Sequence, residues 1–196
     1  MTRLRFAAAI AALIAVSGAA AAVEEWKTVT LRGEAGFTVS IPSAAVDQSD
    51  FKDPNDLLVF SVATKLNGGM VCIAQRFNYP EGATQATFGA AIATTRREAF
   101  CGNNGAKVSG LSIGGSHSFE RDGLQGAVCT ASYTDSSEKT PGRVQSQMVI
   151  AAASGLYSLT CTVDDEDQDL AEYSWADFWG EKVRHIQESF RLPKSR

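Results

Sequence analysis

The side chains best equipped for chemistry in this 196-residue chain are four cysteines and two histidines. Cys72, Cys101, Cys129 and Cys161 form no C-x-x-C pair, so neither a redox-active dithiol nor a zinc knuckle is indicated. In an exported chain, four cysteines read most simply as two disulfides, for which three connectivities exist. Chain geometry favours Cys72 with Cys101. A strand of about eight residues leaves Cys72 and spans roughly 25 Å. A helix of about 17 residues returns the same distance to Cys101. Cys129 with Cys161 then follows by elimination. In a regular meander, however, those two flank a middle strand, about 10 Å apart and too far for a bond. Either the meander is broken or that second pair stays reduced and buried.

The histidines are His117 and His185. His117 sits in a Gly-Ser-rich bend, Gly114-Gly115-Ser116-His117-Ser118. No G-x-S-x-G elbow surrounds any serine, and no spacing suggests a Ser-His-carboxylate triad. A two-histidine metal motif, a P-loop and a dinucleotide fingerprint are also missing. Asp165, Asp167 and Asp169 have the opening spacing of a calcium loop. Leu170 stands where that loop needs glycine, and Ala176 where it needs a bidentate glutamate. The run Asp164–Asp169 therefore reads as a solvated loop. Arg96 and Arg97 suit the C-terminal end of a helix, with an anion contact as the other reading. No catalytic, cofactor-binding or metal residue is assigned, and no cofactor is expected. Paired carboxylates need not be close in sequence, so a hydrolase with a site assembled from distant residues remains an alternative.

The chain's first residues read as an address. Arg3 and Arg5 precede the apolar run Phe6–Val16, and Ala20-Ala21-Ala22 offers a small-x-small cleavage site. Met1–Ala22 is thus expected to be a secretory signal peptide of bacterial type. Val23–Arg196 is expected to be a single domain in the periplasm or outside. The apolar run is short for a bilayer, which needs about 20 residues, so no membrane span is expected after cleavage. The whole chain carries a net charge of −4. Loss of two arginines makes the mature part more negative, which argues against nucleic-acid partners.

Strands must position these residues. Alternation is clearest over Leu124–Tyr133, Arg143–Ala153 and Leu156–Val163. Ala127, Cys129, Ala131 and Tyr133 share a face of the first. Val144, Met148, Ile150 and Ala152 share a face of the second, with Ser146 among them. Tyr157, Leu159, Cys161 and Val163 share a face of the third. Asp122-Gly123, Lys139–Gly142 and Ser154-Gly155 are turn signals, so these strands form an antiparallel meander. Earlier strands are expected at Trp26–Leu31, Phe37–Ile41, Leu57–Leu66 and Met70–Tyr79, with Asn67-Gly68-Gly69 as a hairpin turn. Thr84 is a plausible N-cap for a helix whose stripe is Phe88, Ile92, Thr95 and Ala99. Val108–Ile113 is a further strand, followed by a bend or bulge at Gly114-Gly115. A last helix, capped near Ser174 and Asp177, carries Trp175, Phe178, Trp179, Val183, Ile186 and Phe190 as its apolar stripe.

Phe37-Thr38-Val39-Ser40-Ile41-Pro42 resembles the opening motif of the PsbP/Mog-like superfamily, which includes DcrB-like bacterial exported proteins. The order of hairpin, helix, meander and final helix ending in Glu188-Ser189-Phe190 is also similar. The resemblance implies an α+β fold, a single antiparallel sheet with helices packed on its faces. It further implies an accessory or binding role rather than catalysis. The four cysteines depart from that family's usual pattern, and no functional residue carries over. The expected function is a noncatalytic accessory or binding protein of the envelope with an unknown protein partner. A small-ligand carrier with a sheet–helix cavity is the other alternative. Oligomeric state is not legible.

Overall fold

A computed structural model describes residues 25–31, 36–47, 58–62, 70–94, 112–133, 143–164 and 182–193. Its centre is a seven-stranded antiparallel sheet in the order β3-β4-β5-β9-β8-β7-β6. The strands are β3 (Val46–Asp47), β4 (Leu58–Val62), β5 (Met70–Phe77), β6 (Ser112–Arg121), β7 (Leu124–Tyr133), β8 (Arg143–Ala152) and β9 (Gly155–Asp164). Strands β7, β8 and β9 match the alternation of their sequence within one residue at each end, whereas β6, expected over Val108–Ile113, is found at Ser112–Arg121. Gly114-Gly115 is the expected bulge: the register against β7 shifts between Ile113 and Gly115. The strand continues past it, so His117 lies in β6 and not in a bend.

Two further strands, β1 (Trp26–Thr30) and β2 (Thr38–Pro42), form a separate antiparallel ribbon. With the C-terminal helix α2 (Arg184–Ser189), this ribbon covers one face of the large sheet. Phe37, Val39 and Ile41 from the ribbon meet Ile186 and Phe190 from the helix end. Together they pack on Phe60, Met70, Met148, Leu159 and Val163. The rings of Phe37 and Phe190 lie 5.0 Å apart, at an offset aromatic distance. Thr38 and Arg191 exchange main-chain hydrogen bonds of 2.9 Å, which ties the chain end to β2.

Helix α1 (Gln85–Ala93) covers the opposite face. Ile92 and Phe88 rest on Ala127, Val149, Ala151 and Leu156. The sheet is therefore buried on both faces, with a helix on each, as the alternation and the resemblance together imply. Thr84 caps α1 reciprocally. Its hydroxyl accepts from the Thr87 N–H, and the Thr87 hydroxyl accepts from the Thr84 N–H. The stripe through Thr95 and Ala99 predicts a longer helix; α1 ends at Ala93, and Thr95 and Ala99 lie outside the described residues. Thr94 is extended there and its hydroxyl donates to the Ala91 carbonyl. A β-branched residue with such a local bond competes with the helical ladder.

The cysteine pairing differs from expectation. Cys72 is bonded to Cys161, not to Cys101, and the sulfurs are 2.13 Å apart. The physical reason is the strand order. β5 and β9 are neighbours, and Cys72 and Cys161 are direct register partners with Cα atoms 4.0 Å apart. The expected Cys129–Cys161 bond is excluded by β8, which separates β7 from β9. Cys129 is itself disulfide-bonded rather than reduced. Cys101, Arg96, Arg97, the Asn67–Gly69 turn, Asp165–Asp169 and the segment Ser174–Trp179 lie outside the described residues.

Candidate functional site

The site is built from a hairpin and a helix that are distant in sequence. Asp122 and Gly123 have φ of 54° and 76°. Positive φ at both central residues makes a type I′ turn, whose twist suits a two-residue hairpin. The turn delivers β6 and β7 in register, with Arg121 opposite Leu124 and Phe119 opposite Gly126. The far end of the Phe119 ring sits against Gly126: a Cβ there would come within 2.3 Å of it.

Arg121 joins this hairpin to α2. Its Nη1 donates to the carbonyls of Gln187 at 2.9 Å and Phe190 at 3.1 Å. A cation at the carbonyl end of a helix is favourable. The guanidinium also stands 5.0 Å from the centroid of Phe119. Burial lowers the Arg121 pKa below its ordinary value, and nearby Arg191 pushes the same way. A second tether lies deeper. The Gln187 side-chain amide donates to the Ser146 hydroxyl at 2.8 Å, and both residues are buried.

Between these anchors a cleft of about 760 Å³ opens along β6. Phe119, Val128 and Thr130 line it from the hairpin, and Arg184, Gln187 and Glu188 from the helix. Arg184 and Glu188 pair with each other at 2.8 Å, one helical turn apart. The wall therefore presents an apolar patch beside a mutually compensated ion pair. His117, Ser116 and Glu120 also line the cleft.

The arrangement does not assemble a nucleophile, a base and an orienting group. His117 and its neighbours Ser116 and Ser118 alternate to opposite faces of β6. Glu188 is engaged by Arg184, and Glu120 accepts from the Gln125 amide at 3.1 Å. A base held by a third group is what nucleophilic catalysis requires. His185 is placed elsewhere: it is exposed on α2, and its ring meets that of Trp26 at a tilt of 36° with centroids 3.9 Å apart. Among the described residues no group of three His, Cys, Asp or Glu side chains could hold a metal. No described helix is long and apolar enough to cross a membrane.

The sequence singled out His117 but not Arg121, Arg184, Gln187 or Glu188 as its neighbours. Their convergence depends on α2 crossing the sheet beside its far edge, which no local pattern encodes. Only the Asp122-Gly123 turn gave a signal, since it fixes what lies at the hairpin tip.

No protein-family profile matches the chain, and no curated protein sequence does. Solved structures do. The Ran-binding protein Mog1p of Saccharomyces cerevisiae superposes with a TM-score of 0.58 at 12% identity, covering 87% of this chain and 96% of that one. CyanoP, the cyanobacterial PsbP of Synechocystis, gives a TM-score of 0.45 at 13% identity, covering 89% and 96%. The chain thus has the Mog1-like α+β fold that the motif around Phe37–Pro42 and the element order implied.

Proposed function

We propose that this chain is an exported, noncatalytic binding or accessory protein of the bacterial envelope, which takes its partner in the cleft between β6 and α2. The cleft carries this reading. It is open, it sets apolar Phe119 and Val128 beside hydrogen-bonding groups, and two fixed tethers hold its walls. Such a mixture of apolar floor and few polar groups suits recognition. Mog1p, which shares the fold, is a binding protein. Export is supported by the signal-like Arg3–Ala22 segment and by the Cys72–Cys161 disulfide, a bond that persists in oxidising compartments. On this reading Val23–Arg196 is the mature domain.

The test is a native mass spectrum of the protein from its host's envelope fraction, together with site-directed photocrosslinking. The expected species begins near Val23, is fully oxidised and carries the mass of another chain. A crosslinker at Arg184 should capture that chain, whereas one at Val46, on the opposite sheet edge, should not. A protein that keeps Met1–Ala22, or has free thiols, would refute export. Equal capture from both positions would refute the cleft. The cleft volume falls within the range of small-ligand pockets, which favours a carrier as the second reading. Bound metabolite mass in place of a chain would select it.

A further inference from the structure

The cleft runs beside a sheet edge, and that edge has its own recognition chemistry. β6 is the terminal strand of the large sheet, and among the described residues no strand pairs with its outer side. The turn at Asp122-Gly123 sets Arg121 and Leu124 in mutual hydrogen bonding. Antiparallel alternation extends that pattern to Phe119 with Gly126 and to His117 with Val128. The main-chain N–H and C=O groups of Ser118 and Glu120 therefore point away from β7. Both residues are exposed. The side chains of His117, Phe119 and Arg121 alternate onto the face that α2 overhangs. The lining extends from Gly115 to Arg121, six strand steps or roughly 20 Å, which is the length of a short extended peptide.

Resting on the reading of the cleft as the partner site, we propose that the partner binds as an extended segment adding a strand to β6. Its main chain bonds to Ser118 and Glu120. Its alternate side chains, spaced by two residues, enter the cleft, where an apolar one covers Phe119 and Val128. The register leaves no other choice of face: residues between the bonded positions of the new strand lie on the same side as His117, Phe119 and Arg121. Arg184 and Glu188 compensate one another, so beside Phe119 and Val128 the wall suits an apolar side chain. A second copy of this chain fits less well. Two-fold pairing about Ser118 would set Gly115 opposite Arg121 and supply no apolar side chain beyond another Phe119.

The oxidised protein is panned against phage displaying random dodecapeptides, and the enriched peptide is scanned by single backbone N-methylation. Affinity should fall at every second position, because only alternate N–H groups face β6. Ser118→Pro removes an outward N–H without touching the β6–β7 ladder. It should weaken binding by roughly tenfold or more, while Ser118→Ala keeps the wild-type affinity. A flat N-methyl scan overturns strand addition whatever Ser118→Pro does to folding. A flat scan with binding lost in Phe119→Ala leaves the cleft reading standing and removes only the strand. Failure to enrich any peptide overturns the proposal. So does a wild-type dimer in sedimentation that Ser118→Pro dissolves, which would assign the edge to a second copy.

Discussion

Cys72 and Cys161 face one another across the β5–β9 junction, 89 residues apart in sequence. Every other junction between neighbouring strands of the large sheet joins consecutive strands: β3 with β4, β4 with β5, and β6 through β9 in turn. The β5–β9 junction alone brings an early strand to the end of the chain. The disulfide thus staples the long-range seam between two locally built halves, inside the core where both cysteines are buried.

Breaking this staple should be costly. Releasing a loop of that length returns chain entropy to the unfolded state, and loss of a native disulfide typically costs about 2–5 kcal/mol. Cys72→Ala, Cys161→Ala and the double variant should show nearly the same loss of stability in urea melts. A double variant twice as damaging as either single one would mean that the cysteines act separately.

The seam also divides what is legible in the sequence from what is not. The alternation over Leu124–Tyr133, the Asp122-Gly123 turn and the Thr84 cap are properties of neighbours along the chain, so they were legible. The stripe Val183, Ile186 and Phe190 was legible for the same reason, and all three are buried. The partner of Cys72 was not, because β5 meets β9 through closure of the whole sheet. Helix-and-strand arithmetic favoured Cys101 on the assumption that a strand and the following helix return along one path. The same assumption missed Arg121 and Gln187, whose meeting depends on where the final helix lands. It also missed the separation of β1 and β2 into a ribbon, since their alternation does not say which strand lies alongside.

Gly126 should tolerate no larger residue while Phe119 is in place. A Cβ at Gly126 would meet the Phe119 ring at 2.3 Å, so Gly126→Ala must lift the ring from its seat. Overpacking of this kind costs about 1–3 kcal/mol. Phe119→Leu should relieve part of it, so the double variant should be more stable than the sum of the single effects. A double-mutant cycle with no coupling would show that the ring does not rest on the glycine.

Tyr79 makes stability fall at high pH. Its hydroxyl donates to the Ala152 carbonyl at 2.8 Å. Burial, with Tyr157 nearby, raises its pKa above the ordinary tyrosine value of 10.0. The contribution is fully present below the unfolded value. It is lost as pH rises through the folded one, because the unfolded chain releases the proton first. Denaturation midpoints measured on either side of pH 10.0 should decline more steeply for wild type than for Tyr79→Phe. Identical slopes would mean that another group governs the alkaline limb.

Arg121 should hold α2 against the hairpin through hydrogen bonds, not through charge alone. It donates to two carbonyls in the last turn, and loss of such charge-assisted bonds costs about 1.5–3 kcal/mol. Arg121→Lys keeps the charge but lacks the planar fork, so it should restore only part of the stability lost in Arg121→Ala. Amide hydrogen exchange should show the greatest loss of protection over Arg184–Phe190. Full rescue by lysine would reduce the contact to a point-charge interaction with the helix end.

Gln187 and Ser146 give the sharpest asymmetry. The Gln187 amide reaches the Ser146 hydroxyl at 2.8 Å in the core, with little access to water. Ser146→Ala removes the acceptor and leaves a buried donor without its partner, a desolvation penalty of about 1–3 kcal/mol. Replacing both partners by apolar groups of similar shape removes the polar burden with the bond. Ser146→Ala combined with Gln187→Met should therefore be more stable than Ser146→Ala alone, even though it carries one more substitution. Urea midpoints of the three proteins decide the matter. If the double variant is the least stable, the pair contributes net binding energy between α2 and β8. If it recovers, the pair's main effect is on geometry: it fixes the height of α2 above the sheet, and with it the width of the cleft along β6.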